Sequence, residues 1–401
     1  NEHVPNGTKL PNEHVPNGTN GTNSLENKEA KVEKGGVKIL ITLLVILVIV
    51  AGGVLAYKII KDKEEQETSG TENNIMIAGL DKEEEKKEVQ IFKGNDRPIA
   101  VMIDNHNQAW PQAGLNQAYI VYEAIAEGGE TRLMALFKGV NLEKIGPVRS
   151  ARHYFLDYAM ENDALYVHFG QSPQAESDIQ KYSIQHINGI QEDGTTFWRV
   201  KDKYAPHNAV TSTEKILQSA KNKNYRTTST KESVLNYVTD EVKLEAGQGA
   251  VSVTIPHSTL QTVEYYYDEE NKVYERYARN KEQTDWDTGE PVTTKNIIIT
   301  MCDNYTLNDS ENKGRQGLKN IGTFDGYYIT NGKAIKIKCI KEARDEKTKY
   351  QDLEGNEIEV NDGNTFIHIC PTTADINIEA PTTEETTNTN SNTNSSTNSN
   401  T

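Results

Sequence analysis

The chain has 401 residues, which is room for two or three domains. Its 59 acidic and 43 basic residues give a formal charge of −16. This balance argues against a nucleic-acid partner, because nucleic-acid binders need a basic surface. Three cysteines are too few for a disulfide-rich scaffold, and no Gly-rich phosphate loop, GxSxG or HExxH motif is present. The motifs therefore identify no cofactor.

Both ends of the chain and one internal segment are too polar to form a core. Residues 1–37 are rich in Asn, Gly, Lys and Glu and are predicted to be a disordered cytoplasmic arm. Residues 373–401 are dominated by Thr, Asn and Ser and are predicted to be a disordered tail. Residues 61–90 carry the run EEEKK and are predicted to be a charged linker.

An uncharged run of nineteen residues, Ile39 to Tyr57, precedes the linker. As a helix it would be about 28 Å long, close to the thickness of the bilayer hydrocarbon. A cleaved signal peptide would have a shorter apolar region, and no cysteine directly follows the run for lipoprotein processing. We therefore predict an uncleaved single-pass anchor over residues 38–60, with the N-terminus inside and the folded domains outside the cell membrane.

From residue 91 onward the pattern indicates an α+β fold. Strands and helices alternate through residues 91–238, which predicts a mixed α/β domain, and Ser150 and Ser172 are predicted to be helix N-caps. Residues 249–372 show one alternating apolar run after another, which is typical of a second, β-rich domain. We expect the two domains to pack together.

Arg149 and Arg152 lie at the predicted start of a helix. A helix start offers free N–H groups and a partial positive charge, so two arginines there would complete a site for phosphate, pyrophosphate or carboxylate. Arg132 and Arg199 are further candidates for anion binding. The alternative is that the arginines form ion pairs inside the fold, as buried arginines usually do. The acidic residues available for such pairs are Asp104, Glu123 and Glu127.

Several side chains at strand ends and turns are candidates for catalytic roles. They are Asp104, Glu123, Glu127, His168 and His207. Histidine can act as a general acid or base near neutral pH, but a lone histidine on an apolar strand is more often a core residue. Asp104 and Glu127 are weak candidates for Mg²⁺ or Ca²⁺ ligands, because carboxylates suit these ions but the spacing matches no known metal loop.

Cys339 and Cys370 each lie on the apolar face of a predicted strand. A disulfide between them is one interpretation, since disulfides persist outside the membrane. Two buried free thiols are the other. Cys302 is left over in either case.

Several segments of the chain resemble the YerB-like family of bacterial envelope proteins. They are RPIAVMIDN at 97–105, PQAGLNQAYIVYEAIAEGGETR at 111–132, IGPVRSARHYF at 145–155, HFGQS at 168–172 and APHNA at 205–209. The resemblance implies a mixed α/β domain followed by a β-rich one, and an envelope location. Family members are often lipoproteins, where this chain has an apolar run. They often carry Arg where this chain has Trp110, which removes one candidate anion ligand.

Two functions are consistent with these patterns. The first is a membrane-anchored envelope module that binds a wall polymer or an envelope protein. The second is an envelope enzyme acting on an anionic substrate such as a lipid-linked pyrophosphate. In the enzyme, the arginines would stabilise charge and Asp104 or Glu127 would act as base or metal ligand. Convergence of these side chains on one open cleft would favour the enzyme, and arginines paired inside the fold would favour the module.

Overall fold

The computed structural model describes residues 87–381, and within that range the fold is dominated by strands. The strands are β1 (Ile99–Asp104), β2 (Ile120–Ile125), β3 (Thr131–Phe137), β4 (Leu165–His168), β5 (His186–Asn188), β6 (Trp198–Arg199), β7 (Ala209–Val210), β8 (Tyr237–Val238), β9 (Gln248–Gly249), β10 (Ser252–Pro256), β11 (Thr262–Asp268), β12 (Val273–Ala278), β13 (Lys281–Glu282), β14 (Thr293–Thr294), β15 (Asn296–Met301), β16 (Asn304–Thr306), β17 (Gln316–Leu318), β18 (Gly322–Thr330), β19 (Lys333–Lys341), β20 (Lys349–Gln351), β21 (Val360–Asn361), β22 (Thr365–Cys370) and β23 (Asn377–Glu379). The α-helices are α1 (His153–Glu161), α2 (Pro173–Lys181), α3 (Gly189–Glu192) and α4 (Thr213–Asn222).

One eleven-stranded mixed sheet runs through both predicted domains. Its strand order is β20-β19-β18-β15-β22-β2-β3-β1-β4-β5, with β9 paired to β19. Strand β22, from the C-terminal part of the chain, lies parallel to both β15 and β2. The boundary predicted between residues 238 and 249 therefore divides the sequence, whereas the central sheet is continuous across it.

Each face of the central sheet is covered by a different layer. On one face, strand residues such as Val101 share a core with Ile216 of α4 and with Val253 and Tyr265 of a second, six-stranded sheet. That sheet has the order β13-β12-β11-β10-β23, with β14 paired to β12. On the other face, α1 contributes Phe155 and its neighbours. Burial on both faces explains why β1, β2, β3 and β22 are buried along their whole length.

The predicted mixed α/β part and the β-rich C-terminal part are both present. The apolar pattern predicts strands at residues 131–137, 296–301 and 365–370, and these bounds are those of β3, β15 and β22. Ser172 caps α2 as expected, since its side chain accepts a hydrogen bond from Ala175 N. The prediction for Ser150 is wrong, because Arg152 is the N-cap residue of α1.

Of the two interpretations of Cys339 and Cys370, the structure has the buried free thiols. The three cysteines, all within the described part of the chain, are free and buried. Two strands, β18 and β15, separate β19 from β22, and adjacent strands lie about 4.8 Å apart. In addition, Cys339 belongs to the core on one face of the sheet and Cys370 to the core on the other. The alternation of apolar residues along each strand places both thiols on apolar strand faces. It does not show which face of the central sheet each thiol lies on.

No helix within residues 87–381 has the length and apolar character to cross a membrane. The predicted anchor over residues 38–60 lies outside the described residues. The predicted arm over residues 1–37, most of the linker and most of the tail lie outside them as well.

Candidate functional site

The candidate site forms where β1 ends and β3 begins. Asp104 is the last residue of β1 and lies opposite Arg132 in the antiparallel register. The segment before α1 runs alongside this end of the sheet, with Asp104 N donating to Pro147 O at 2.9 Å and Arg149 N donating to Met102 O at 2.9 Å. These backbone contacts bring Arg149 to the Asp104 carboxylate.

Asp104 is held by two partners. Its Oδ2 lies 3.2 Å from Arg149 Nε and 2.7 Å from His207 Nδ1. The Arg149 contact is an ion pair without hydrogen-bond alignment, because the buried Nε has no hydrogen-bond partner. The His207 ring in turn stacks on His106, with the ring centroids 4.5 Å apart. Asp104, Arg149 and His207, three of the candidates from the sequence, therefore lie together at this end of the sheet.

Glu127 forms the second acidic position, in a turn between β2 and β3. It pairs with Arg152 through both carboxylate oxygens, with Arg152 Nη2 donating to Oε2 at 2.9 Å. Arg132 Nη2 lies 3.7 Å from the same Oε2, and Arg132 Nη1 donates to Ser150 O at 3.0 Å. We call Arg132, Arg149 and Arg152 the arginine cluster.

The arginine cluster carries more positive charge than its acidic partners neutralise. Three guanidinium groups face two carboxylates, Asp104 and Glu127. The pKa of Arg132 is lowered to about 10, first by burial and then by the neighbouring charges of Arg152 and Arg149, while Glu127 and Asp104 act in the opposite direction. The excess of guanidinium groups over carboxylates makes the local potential positive, and an additional anion would relieve it.

The start of α1 adds to this potential. No side-chain hydrogen bond caps the helix at Arg152. Ser150, two residues earlier, instead donates its hydroxyl to Phe169 O at 3.0 Å. The nine-residue helix thus directs the positive end of its dipole toward the cluster.

Two of the predicted site residues lie outside the arginine cluster. His168 Nδ1 contacts Gly170 O at 2.7 Å and its Nε2 contacts His186 Nδ1 at 2.8 Å, and burial lowers its pKa to about 3. His168 is therefore neutral and has a structural role. Arg199 pairs with Asp193 at 3.1 Å, donates to Asn208 Oδ1 at 3.0 Å and covers the ring of Phe169.

Glu123 lies in the interior instead of joining the cluster. Its Oε2 accepts a hydrogen bond from Arg276 Nη2 at 2.7 Å, and both side chains are fully buried. Its Oε1 accepts from Thr131 Oγ1 at 2.6 Å and from Asn105 Nδ2 at 3.2 Å. Burial raises the pKa of Glu123, but the charges of Arg276, His257 and His368 and the hydrogen bond from Thr131 outweigh burial and bring the pKa to about 2.

The surroundings of Glu123 also include two buried histidines. His257 Nε2 lies 3.0 Å from His368 Nδ1, and His368 Nδ1 lies 3.5 Å from Glu123 Oε2. These atoms have the spacing of metal ligands. A divalent ion there would, however, add two positive charges to the one on Arg276. The single carboxylate of Glu123 would then leave two positive charges uncompensated in the interior. The residues fit a neutral, hydrogen-bonded ion pair better than a metal centre.

The weakly predicted metal ligands Asp104 and Glu127 are likewise engaged by arginines. A divalent cation would have to displace a guanidinium from either carboxylate while facing the excess positive charge of the cluster. This donor set does not suit Mg²⁺ or Ca²⁺.

Sequence reasoning missed Arg276, His257 and His368, which all come from the C-terminal half. The signal for Arg276 was present in β12, where burial alternates along VYERYA and places Arg276 on the buried face with Tyr274 and Ala278. A charged side chain on the apolar face of a strand requires a buried partner of opposite charge. Glu123 is likewise a charged residue within a buried strand, β2, so the two residues are candidates to pair.

A separate cavity of about 820 Å³ opens elsewhere on the molecule. Its lining includes Arg97, Phe137, Val140, Leu217 and Tyr225, and none of the arginine cluster. The cavity therefore has no part in the site.

Comparison with known proteins agrees with the fold and the segments described. Residues 81–226 match the family model described as "Protein of unknown function (DUF3048) N-terminal domain", and residues 252–367 match the corresponding C-terminal domain. A relative named "Putative lipoprotein YerB", from Bacillus subtilis (strain 168), is 32% identical over 286 residues, which is 69% of this chain and 81% of the relative. The chain belongs to the YerB family.

A solved structure supports the same relationship. The crystal structure of YerB protein from Bacillus subtilis matches with a TM-score of 0.64 and 31% identity, covering 73% of this chain and 97% of that one. The likeness shows that the two chains share their overall fold.

In this YerB-family chain, Trp110 lies beside the site without adding charge to it. Its Nε1 donates to Asn105 Oδ1 at 3.2 Å, and its carbonyl accepts from Lys203 Nζ at 2.8 Å. Asn105 also donates to Glu123. Trp110 is thus connected through Asn105 to the buried ion pair of Glu123 and Arg276.

Proposed function

We propose that this protein is a binding module of the bacterial cell envelope that holds an anionic, phosphate-bearing group on the arginine cluster. One observation carries the proposal: three arginines converge on two carboxylates at the end of the central sheet. A phosphate would supply the missing negative charge, and guanidinium groups bind phosphate with two parallel hydrogen bonds.

Access to the cluster agrees with this role. The Arg149 side chain is 24% exposed and the Arg152 side chain 12%, whereas Arg132 is buried behind them. Two arginines can therefore contact a ligand from solvent while the third adds to the potential. Phosphate groups of a wall polymer or of a membrane component have the required chemistry.

An enzymatic role on a lipid-linked pyrophosphate finds no support in this geometry. A general base or a metal ligand would have to come from Asp104 or Glu127. Both carboxylates are engaged by arginines and oriented as structural counter-ions. Binding of an anion needs only the excess positive charge of the arginine cluster.

The location proposed for this module is the outer face of the cell membrane. A family relative is named as a lipoprotein, and this chain carries the uncharged run from Ile39 to Tyr57. We propose that this run is a single-pass anchor with the N-terminus inside. Leu44→Arg combined with Val48→Arg should release the protein from the membrane fraction, because two charges at mid-helix cost several kcal/mol of insertion. Unchanged fractionation would contradict the anchor.

The binding proposal is tested by thermal melting of the full-length protein in detergent, with and without sodium pyrophosphate. A ligand that binds only the folded state raises the melting temperature by mass action. Wild type should respond, and Arg149→Gln and Arg152→Gln should lose the response. Arg226→Gln is the matched control, since Arg226 is a half-exposed arginine paired with Asp163. A wild type that does not respond to pyrophosphate would refute the proposal.

A further inference from the structure

The cavity of about 820 Å³ has the size and the lining of a site for a small, mostly apolar molecule. Sites for small ligands usually have volumes of about 300–1,000 Å³ and mainly apolar walls. Ile99 and Phe137 line the cavity, lie opposite each other in the pairing of β1 with β3, and are almost completely buried. Val140 and Tyr225 line it as well. Several apolar side chains thus face one enclosed space.

Helix α4 contributes a row of three side chains to the same cavity. Thr213, Leu217 and Lys221 follow one another at intervals of four residues, and all three line the cavity. Residues four apart lie on the same side of a helix, about 6 Å from each other along its axis. The row therefore places the apolar side chain of Leu217, which is 39% exposed, one turn away from the cation of Lys221.

The ammonium group of Lys221 is available to a ligand. Within the part of the chain that the structure describes, this exposed lysine forms no ion pair and donates no side-chain hydrogen bond. Arg97, the other basic residue of the lining, is fully engaged. Its guanidinium donates to three backbone carbonyl oxygens, those of Asp163 at 2.8 Å, Arg226 at 3.1 Å and Ala164 at 3.3 Å. An anionic group in the cavity would therefore pair with Lys221.

The charges around the cavity favour an anion. The basic side chains that line the cavity or lie beside its lining are Arg97, Lys138, Lys221 and Arg226. Two carboxylates compensate them. Asp163 lies between Arg226 and Arg97, and Asp96 lies next to Lys138. Four positive charges thus face two negative ones, and the resulting potential attracts a negative group.

We propose that this cavity binds a small amphipathic carboxylate, with its apolar body against Phe137 and Leu217 and its carboxylate at Lys221. The apolar body gains affinity in proportion to the area that it buries, and the ion pair with Lys221 adds to that affinity. The distance of one helical turn between Leu217 and Lys221 matches a ring joined to a carboxylate by a short alkyl chain. None of the arginine cluster lines the cavity, so this inference is independent of the proposed function.

The test is equilibrium dialysis of the full-length protein against phenylbutyrate and against phenylbutanol, which has the same apolar body and no charge. Detergent is present at the same concentration on both sides of the dialysis membrane, so that partition of a probe into micelles cancels. Wild type should bind both probes. It should bind phenylbutyrate about fivefold more tightly, which is the contribution of a favourable exposed ion pair.

Variants separate the charge from the apolar surface. Lys221→Gln should bind phenylbutyrate no more tightly than phenylbutanol. Lys215→Gln is the matched control and should keep the preference, because Lys215 lies on the same helix, donates to Thr195 O at 2.8 Å and does not line the cavity. Leu217→Trp should fill the apolar part and weaken both probes about tenfold. Leu353→Trp, at a leucine that is 60% exposed and lies outside the lining, should have no effect.

The melting temperature of each variant shows whether it is folded, and the outcomes then decide the proposal. Equal affinity of wild type for the two probes, or a preference that survives in Lys221→Gln, would overturn the carboxylate at Lys221. Unchanged binding by folded Leu217→Trp would overturn the cavity as the site, and absence of binding by wild type would overturn the whole inference. Leu217→Trp should respond to pyrophosphate as wild type does, and a lost response would contradict the separation of the cavity from the arginine cluster.

Discussion

Replacing Arg276 with glutamine should destabilise this protein more than any single change in the arginine cluster. Arg276→Gln leaves the Glu123 carboxylate without its charged partner, and both side chains are fully buried. Removing one partner of a buried ion pair costs about 3–5 kcal/mol of unfolding free energy. Glutamine can still donate one hydrogen bond, but it supplies no charge.

The low pKa of Glu123 reflects the same interaction with Arg276, together with the charges of His257 and His368 and the hydrogen bond from Thr131. The folded pKa is about 2, and an unfolded glutamate titrates near 4.3. Because the folded pKa is the lower one, the ion pair stabilises the protein fully above the unfolded pKa. That contribution, about 3 kcal/mol at neutral pH, is lost as the pH falls from about 5 toward 2.

The assay is urea unfolding, followed by tryptophan fluorescence, at pH 7 and at pH 3. Wild type should lose stability between the two values, in part through Glu123. Glu123→Gln has no carboxylate at this position and should show a smaller loss on acidification. Arg276→Gln should be about 3–5 kcal/mol less stable than wild type at pH 7. It should recover part of the difference at pH 3, because Glu123 of the variant has lost the Arg276 charge that lowers its pKa and is protonated there.

Two results would refute this reasoning. One is a loss below about 1 kcal/mol for Arg276→Gln at pH 7, which is the range of an exposed pair. The other is an identical acid response in wild type and Glu123→Gln, which would mean that the pKa of Glu123 is not depressed. Arg226→Gln serves as the control for a half-exposed ion pair.

Three further predictions concern other parts of the fold. Arg149→Gln and Arg152→Gln should each cost about 1 kcal/mol or less in urea unfolding, because each carboxylate keeps a second partner and both arginines are partly exposed. Labelling with a thiol reagent in denaturant, without reductant, should modify all three cysteines. If two of the three did not react, the disulfide interpretation would be the correct one. Gly326→Ala should lower the melting temperature strongly, since the added Cβ would lie 2.2 Å from Ile299 O in the paired strand.

Local patterns in the sequence predict much of the secondary structure but not the order of strands. The apolar runs at residues 98–103, 119–126, 131–137 and 164–169 predict four strands, and the ends of β1, β2, β3 and β4 lie within one residue of these bounds. The position of β22 between β15 and β2 follows from pairing across more than 200 residues of chain. No local propensity encodes such a pairing. The change of pattern along the chain therefore predicts two domains, and it does not predict a sheet that continues from one to the other.

The same limit applies to the partners of the arginines. Ion pairing by Arg149 and Arg152 was one of two interpretations, and the partners are Asp104 and Glu127. Both acidic residues lie at strand ends or turns, where the loop before α1 can reach them. Glu123 lies in the middle of β2, out of reach of that loop, so strand position distinguishes the acidic residues once the strands are placed.

Burial then determines which arginine is structural and which is available to a ligand. Arg276 and Glu123 form a neutral pair sealed between the two sheets, where any further charge would be strongly unfavourable. The arginine cluster has the same residue types, but it is partly exposed and has one positive charge in excess. Solvent moderates the repulsion among its guanidinium groups enough for the fold to tolerate them. Under the proposed function, the remaining positive potential is what holds an anion. The residue types alone do not distinguish the buried pair from the arginine cluster, because both consist of arginines and carboxylates. The two differ in how far the charges are removed from water and in whether the positive and negative charges are equal in number.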